Sequence, residues 1–572
     1  MRYFSIVFLS VFMLSFIKPA LAIDYLDGGP VSQSVGKTAV RDCRAGGTVK
    51  VPLITWGADM VTIHANGNAK KTAANSLFGN AGLDLELFRE DDFAKQVEAY
   101  LNCDTPYLRA TTGMANMMSE LTEADPRTRM IAVYQHSWSA GGDALVVKEG
   151  IATPANLKGK VIALQKGGPH VDYLMTVLKD AGLKPTDVKL KWTKGLVGFD
   201  GSTPAAALLS DAGVDAAMVI IPDALALTSD GNVGTGSENS VKGGHILLST
   251  RSANRVIADL YFVRADYLET NRDDVQRFVH SLVKAEEETR QLMQKSGDAK
   301  RAALIKASAQ ILLDSEMAAT DAEAMWADAE TAGWQGNVKF FTDANYPRGY
   351  HKLNAEAQTG LVDLGQIVSL KKLGDAGWEW SRLKPDGFLA PRAEAPKFNQ
   401  AAVTQAITKQ QAQGTLDNST LFEFEINFKP NQDQFPAELY KQQFERVVDL
   451  AATYSGAVIT VEGHSDPLGY LKALKEGKQQ IVLNMMVQSA RNLSVSRAQS
   501  VRDSIISMAG QKQVFLDPSQ FVVVGMGFQD PKSGMCGKEP CAPKSENDWL
   551  SNMRVVFRIV NVEAEAAAFQ PL

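Results

Sequence analysis

Apolar and polar positions follow one rhythm over the first two thirds of the chain and another near its end. Short apolar runs recur at 50–54 (KVPLI), 83–88 (LDLELF), 130–134 (MIAVY), 143–147 (DALVV), 160–164 (KVIAL), 188–192 (VKLKW), 214–221 (VDAAMVII) and 257–263 (IADLYFV). Their length and their β-branched and aromatic content predict strands. Between them lie stretches with helical apolar spacing: 68–79 (NAKKTAANSLFG), 91–102 (DDFAKQVEAYLN), 170–183 (HVDYLMTVLKDAGL) and 203–213 (TPAAALLSDAG). A longer one, 271–294, opens on an Asn/Asp cap, and further helices are predicted over 298–331 and about 353–372. Strands alternating with amphipathic helices predict an α/β array of mostly parallel strands from about residue 48 to 390. Around 385–420 the pattern lapses into Ala, Gln, Pro and Thr without a strand signal, and residues 391–420 are expected to form a linker. A new unit then reads strand 421–428, helix 437–454, strand 456–462, helix near 492–508 and strands 520–525 and 553–560, a small α+β domain over 421–562.

The first 22 residues follow neither rhythm. Arg2 precedes an apolar run from Phe4 to Ile17, and Ala20-Leu21-Ala22 supplies small residues for cleavage, which predicts a secretory signal peptide over 1–22. No later apolar stretch is long enough to span a bilayer, so an exported, soluble protein is expected. Four cysteines suit an oxidising compartment. They permit three connectivities; the pairing favoured is Cys43 with Cys103 and Cys536 with Cys541. Seven scattered histidines and the absence of a C-x-x-C motif speak against a metal site. A net charge of −6 argues against nucleic acid as a partner. Neither a phosphate-binding G-x-x-x-x-G-K-[ST] loop nor H-E-x-x-H occurs, and no motif places a nucleophile beside a base. No enzymatic activity, cofactor or metal is expected.

In open α/β sheets ligands sit beyond the carboxyl ends of the strands, where small residues and helix N-termini let backbone approach them. Those positions carry Trp56, Asp59, Thr111, Thr112, Trp138, Ser139, Gly168, His170 and Asp223, which form the candidate solute site. Each also has a purely structural reading, as core aromatic, helix cap or turn residue.

The segments 139–147 (SAGGDALVV), 156–164 (NLKGKVIAL), 167–183, 213–223 (GVDAAMVIIPD) and 260–279 occur in an order that resembles the two-lobed periplasmic solute-binding proteins of ABC importers, of the nitrate, sulfonate, taurine and thiamine-precursor type. The resemblance implies a type II periplasmic-binding-protein fold over 48–390. Its second lobe would span about 139–248, with crossings near 135–139 and 245–255 and a small solute bound between the lobes. An inner-membrane ABC permease or a sensor would be the partner.

The later unit carries 422–432 (FEFEINFKPNQ), 461–469 (VEGHSDPLG), 492–505, 522–531 and 552–559 in an order that resembles the OmpA-like peptidoglycan-binding domain. The resemblance places Asp466 and Arg497 on the two ligand positions, which grip the diaminopimelate of the wall peptide. One anion and one guanidinium complement the ammonium and carboxylate at the end of that residue. Two departures stand out: residues 470–491 are an extension, and the closing basic motif is Asn552-Met553-Arg554-Val555. Together the resemblances imply a periplasmic solute receptor of the Gram-negative envelope, anchored non-covalently to peptidoglycan. The alternative is a structural wall-associated protein whose solute-binding fold no longer takes a transport ligand.

Overall fold

A computed structural model describes residues 23–43, 46–237, 239–385, 398, 403–405, 407, 409, 420–433, 437–536 and 539–560. The expected signal peptide, 1–22, and most of the expected linker, 391–420, lie outside the described residues.

The strands are β1 (Tyr25–Leu26), β2 (Val49–Leu53), β3 (Leu85–Arg89), β4 (Tyr107–Thr111), β5 (Met130–Ser139), β6 (Asp143–Val147), β7 (Val161–Gln165), β8 (Lys189–Thr193), β9 (Ala216–Ile220), β10 (His245–Ser249), β11 (Ala258–Arg264), β12 (Ala329–Thr331) and β13 (Gly374–Asp375). They form two α/β lobes. One lobe holds a sheet in the order β12-β5-β11-β4, with β13 alongside β5, and the parallel pair β2-β3. The other holds a six-stranded sheet in the order β1-β8-β7-β9-β6-β10. The chain crosses between them three times, from β1 to β2, from β5 to β6 and from β10 to β11. The edge strand β1 precedes residue 48, where the sequence pattern starts the array; Tyr25 pairs with Thr193 and donates its hydroxyl to Asp211 at 2.7 Å.

The elements form where local chemistry favours them. Asp92 caps the helix Phe93–Leu101 by accepting from the N–H groups of Ala94 and Lys95. Thr203 caps Pro204–Ser210, whose first position is proline. The stretch 68–79 departs from its predicted helix: only Leu77–Asn80 is helical. Asn66 donates to the carbonyls of Ala69 and Lys70 and accepts from Thr72 Oγ1, and this side-chain scaffold holds the segment as a loop. Both disulfides are formed in the favoured pairing, Cys43–Cys103 and Cys536–Cys541.

The C-terminal unit adds β14 (Thr420–Asn427), β15 (Val458–His464), β16 (Phe521–Gly527), β17 (Met535–Cys536), β18 (Glu539–Pro540) and β19 (Arg554–Val560). Four of these make a sheet in the order β14-β19-β15-β16, covered by the helices Lys441–Thr453 and Gln480–Gln511. The second helix is longer than the predicted 492–508, because the extension at 470–491 is itself helical. Residues Leu468–Lys475 form one arm and the first turns of Gln480–Gln511 the other. Lys, Leu, Ala, Gln and Met dominate both arms and favour helix, while Gly477, at φ +69°, makes the turn between them.

This unit sits on the β10–β11 crossing. Arg255 N–H donates to Thr453 O at 3.3 Å, Gly456 N–H to Ser252 O at 3.2 Å and Ser455 Oγ to Asn254 Oδ1 at 2.7 Å. A Cβ on Gly456 would lie 1.9 Å from Arg251 O, so only glycine permits the approach. Asp180, at the end of the helix His170–Asp180, accepts from Arg446 Nη1 and from Tyr454 Oη, each at 3.1 Å.

Candidate functional site

The strand ends of the two lobes meet in a buried polar seam. Asp259 on β11 lies opposite Thr111 on β4 and opposite Ser137 on β5. Two residues before Thr111, on the same face of β4, stands Arg109, fully buried. Its Nε and Nη2 donate to the two oxygens of Asp59 at 3.2 and 2.9 Å, and its Nη1 donates to Asp259 Oδ1 at 2.9 Å. Ser137 Oγ donates to Asp259 Oδ2 at 3.2 Å and accepts from Trp56 Nε1 at 2.9 Å. The Trp56 indole in turn packs on Gly142, in the β5–β6 crossing, where a Cβ would lie 2.7 Å from the ring.

Burial pushes the Asp59 carboxyl up to about 7, against the charge and hydrogen bonds of Arg109; burial also raises Asp259. Burial alone would lower Arg109, but the two carboxylates facing it raise it and hold it charged.

At the end of β5, facing the second lobe, Ser139 Oγ donates to Asp143 Oδ2 at 2.6 Å and lies 2.9 Å from Thr250 Oγ1. His170 Nε2 is 2.7 Å from the other Asp143 oxygen. One carboxylate therefore bridges serine and histidine. The hydroxyl faces a carboxylate instead of an imidazole, so the trio lacks the serine–histidine contact a nucleophile needs.

Thr111 Oγ1 accepts from Met114 N–H at 3.1 Å and caps the helix Thr112–Met117. That helix meets the first turn of His170–Asp180 across the seam. A Cβ on Gly113 would lie 2.3 Å from the Asp172 carboxyl carbon, so glycine is what lets the lobes close here. Burial pushes Asp172 up to about 7, opposed by the N–H groups of Asp172, Tyr173 and Gly113 and the charge of Arg348.

The structure thus gathers Trp56, Asp59, Thr111, Thr112, Ser139 and His170 along one seam. Gly168 lies in the turn before His170, packed against the Gln165 side chain. Trp138 is not a seam residue. Successive side chains on β5 alternate in direction, so Ser137 and Ser139 face the seam while Trp138 packs edge-to-face on Phe340 at 5.6 Å, with the Arg255 guanidinium 5.6 Å from its ring centre. Asp223 braces a neighbouring loop, accepting from Gly198 N–H at 2.9 Å. Sequence reasoning missed Arg109, Asp259 and Asp172. A signal existed: Arg109 in 107–111 (YLRAT) and Asp259 in 257–263 are lone charges in apolar strands, and such charges are found paired when buried.

In the C-terminal unit Arg497 is buried, and its described hydrogen bonds all go to backbone carbonyls: Nε to Gln432 O at 2.7 Å, Nη1 to His464 O at 3.0 Å and Nη2 to Lys429 O at 3.3 Å. The Phe428 ring lies 5.3 Å from the guanidinium. Burial lowers Arg497 to about 10, offset in part by Asp433, so it remains charged near neutrality. Asp466, two residues past His464, is partly exposed; its oxygens accept from Leu468 N–H at 2.7 Å and Asn552 Nδ2 at 3.3 Å. Burial raises its carboxyl against those bonds. No described hydrogen bond or ion pair joins Asp466 to Arg497. Among the described residues no group of three or more His, Cys, Asp or Glu could hold a metal ion.

Residues 73–291 match the NMT1/THI5-like family. That segment contains β3 to β11, hence the β5–β6 and β10–β11 crossings and most of the seam. Solved structures similar to the chain include the periplasmic aliphatic sulphonate binding protein SsuA from Escherichia coli, 15% identical over 61% of this chain and 99% of that one, at a TM-score of 0.39. The putative periplasmic sulfonate-binding protein SsuA from Methylobacillus flagellatus KT is 16% identical over 62% and 99%, at 0.40. The desulfurization enzyme DSZB is 16% identical over 57% and 94%, at 0.36. No curated protein matches the chain by sequence. Among the described residues no helix is long and apolar enough to cross a membrane.

Proposed function

We propose that the protein is an exported solute receptor of the ABC-import type, held to the cell wall by residues 421–562 acting as an OmpA-like peptidoglycan-binding domain. The observation that carries the wall contact is Arg497, a buried cation whose described hydrogen bonds all go to neutral carbonyls, beside Asp466 at the same strand end. A guanidinium in that setting favours an incoming carboxylate, and Asp466 offers its charge to an ammonium. The zwitterionic end of diaminopimelate has both groups. The receptor half rests on the NMT1/THI5-like segment and on the polar seam between its lobes. It involves no turnover.

A second reading, a wall-associated scaffold that takes no solute, is favoured by one observation. The seam's guanidinium, Arg109, already donates to two aspartates.

A thermal-shift screen of the chain from Ile23 onward separates the readings. The panel holds sulfonates, nitrate, pyrimidines, amino acids and diaminopimelate, with Asp466→Asn alongside. A solute that raises melting in both proteins establishes the receptor. Diaminopimelate raising only the parent establishes the wall clamp. Wall binding with no solute response leaves the scaffold; no response to diaminopimelate removes the anchor.

A further inference from the structure

The extension at 470–491 is unaccounted for by either binding role. Its two helical arms, Leu468–Lys475 and the start of Gln480–Gln511, pack on each other: Ala473 and Leu483 are buried, and a Cβ on Gly469 would lie 3.7 Å from the Met486 methyl. Tyr470 at the base stacks near Phe528, with ring centres 4.9 Å apart. Beyond that base the hairpin turns outward. Leu474, Ile481 and Met485 are 50%, 65% and 66% exposed, and Val482 is exposed beside them. Ile481 and Met485 stand one turn apart on a single helix face. Large apolar side chains gathered this densely at a solvent-facing tip mark a contact surface.

The charge around the tip selects the partner. Lys472, Lys475, Lys478 and Arg491 are all exposed, against a single acidic residue, Glu476, so the segment 468–491 carries +4 − 1 = +3 in a chain whose net charge is −6. Only Lys478 has a described acidic neighbour, Glu476 at 3.6 Å. Exposed apolar side chains ringed by lysines match the headgroup and acyl boundary of an anionic bilayer, which takes the apolar groups below its surface and the ammonium groups at its phosphates. We infer that the tip of this hairpin, Leu474, Ile481, Val482 and Met485 with Lys472, Lys475 and Lys478, docks on an anionic phospholipid surface. The hairpin base adjoins Asp466, whose carboxylate accepts from Leu468 N–H, so the contact places the candidate wall site next to a membrane face.

The test is co-sedimentation of the chain from Ile23 onward with vesicles. One set mixes phosphatidylethanolamine and phosphatidylglycerol; the other is pure phosphatidylcholine. The parent is expected to bind the anionic vesicles and to release them as salt rises. Lys472→Gln/Lys475→Gln/Lys478→Gln should lower partitioning roughly a hundredfold, at about fivefold per lysine near an anionic surface. Ile481→Ser/Met485→Ser should lower it about tenfold or more, since part of two large apolar side chains leaves the interface. Circular dichroism and melting should match the parent in both variants, and the lysine variant, altered only at exposed positions, decides the matter if the other does not fold. Failure to bind anionic vesicles, equal binding to phosphatidylcholine, or variants that bind like the parent would each overturn the inference. So would a self-association lost in Ile481→Ser/Met485→Ser while the parent ignores vesicles, because the face would then belong to a second copy.

Discussion

Replacing Arg109 with methionine tests how the seam is held. The side chain is fully buried and donates three hydrogen bonds to two carboxylates that are themselves almost completely buried. Methionine fills much of the volume but leaves Asp59 and Asp259 facing each other without a counter-charge. Removing one partner from a buried ion pair costs about 3–5 kcal/mol. At about 2–4 °C per kcal/mol for a domain of this size, the lobes should melt roughly 10 °C lower.

The pH dependence carries the sharper signature. In the parent, burial already pushes Asp59 up to about 7 with Arg109 pulling the other way. Without Arg109 both carboxyls rise further above their unfolded values. The folded state then binds more protons than the unfolded one, so stability falls as pH rises from about 4 through the folded values. The deficit of Arg109→Met relative to the parent should therefore be small near pH 5, marked near pH 8 and still growing above it. The triple variant Asp59→Asn/Arg109→Met/Asp259→Asn, which buries no charge at all, should recover most of it. Calorimetry of the three proteins across that range is the assay. An Arg109→Met variant that melts within about 2 °C of the parent at pH 8, or a deficit that does not change with pH, would refute the reasoning.

Asp172→Asn should gain on the parent as pH rises from about 4 to about 7 and keep that advantage at pH 8. Burial pushes the native carboxyl up to about 7, so across that range the unfolded carboxyl is ionised while the folded one still holds its proton, which opposes folding, and asparagine cannot ionise; melting curves from pH 4 to 8 read the difference. Cys43→Ser/Cys103→Ser releases a cross-link spanning 60 residues and should cost about 4 kcal/mol by denaturant titration, on the loop-closure model. Arg446→Ala/Tyr454→Phe removes both side-chain donors to Asp180 and should loosen the C-terminal unit from the crossing, seen as faster amide hydrogen exchange at 252–256 with unchanged exchange in β7 and β9.

Much of this architecture is written in local pattern. Apolar runs such as 143–147 and 160–164 became β6 and β7 because β-branched and aliphatic residues in short runs bury well only in sheets. Caps at Asp92 and Thr203 fixed helix starts because their side chains satisfy the same few N–H groups wherever the helix is placed. The seam was legible as a region, since strand ends in an α/β fold converge whatever their residues. What each side chain does there was not. Asp59 reads as an open anion in sequence but is held by Arg109, fifty positions away on β4. Trp138 reads as a cleft wall but falls on the opposite face of β5 from Ser137 and Ser139, and only the registers of β5, β11 and β12 decide which face meets the seam. The segment 68–79 has helical spacing, yet Asn66 outcompetes the helix with side-chain hydrogen bonds. The placement of Gly456 on Arg251 O, which seats the C-terminal unit on a crossing some two hundred residues away in sequence, has no local signature at all. Sequence determines the elements because propensity and periodicity act within a few residues. Partnership between distant charges, and the docking of one unit on another, belong to the tertiary structure, because burial is what makes an unpaired charge or a misplaced Cβ costly.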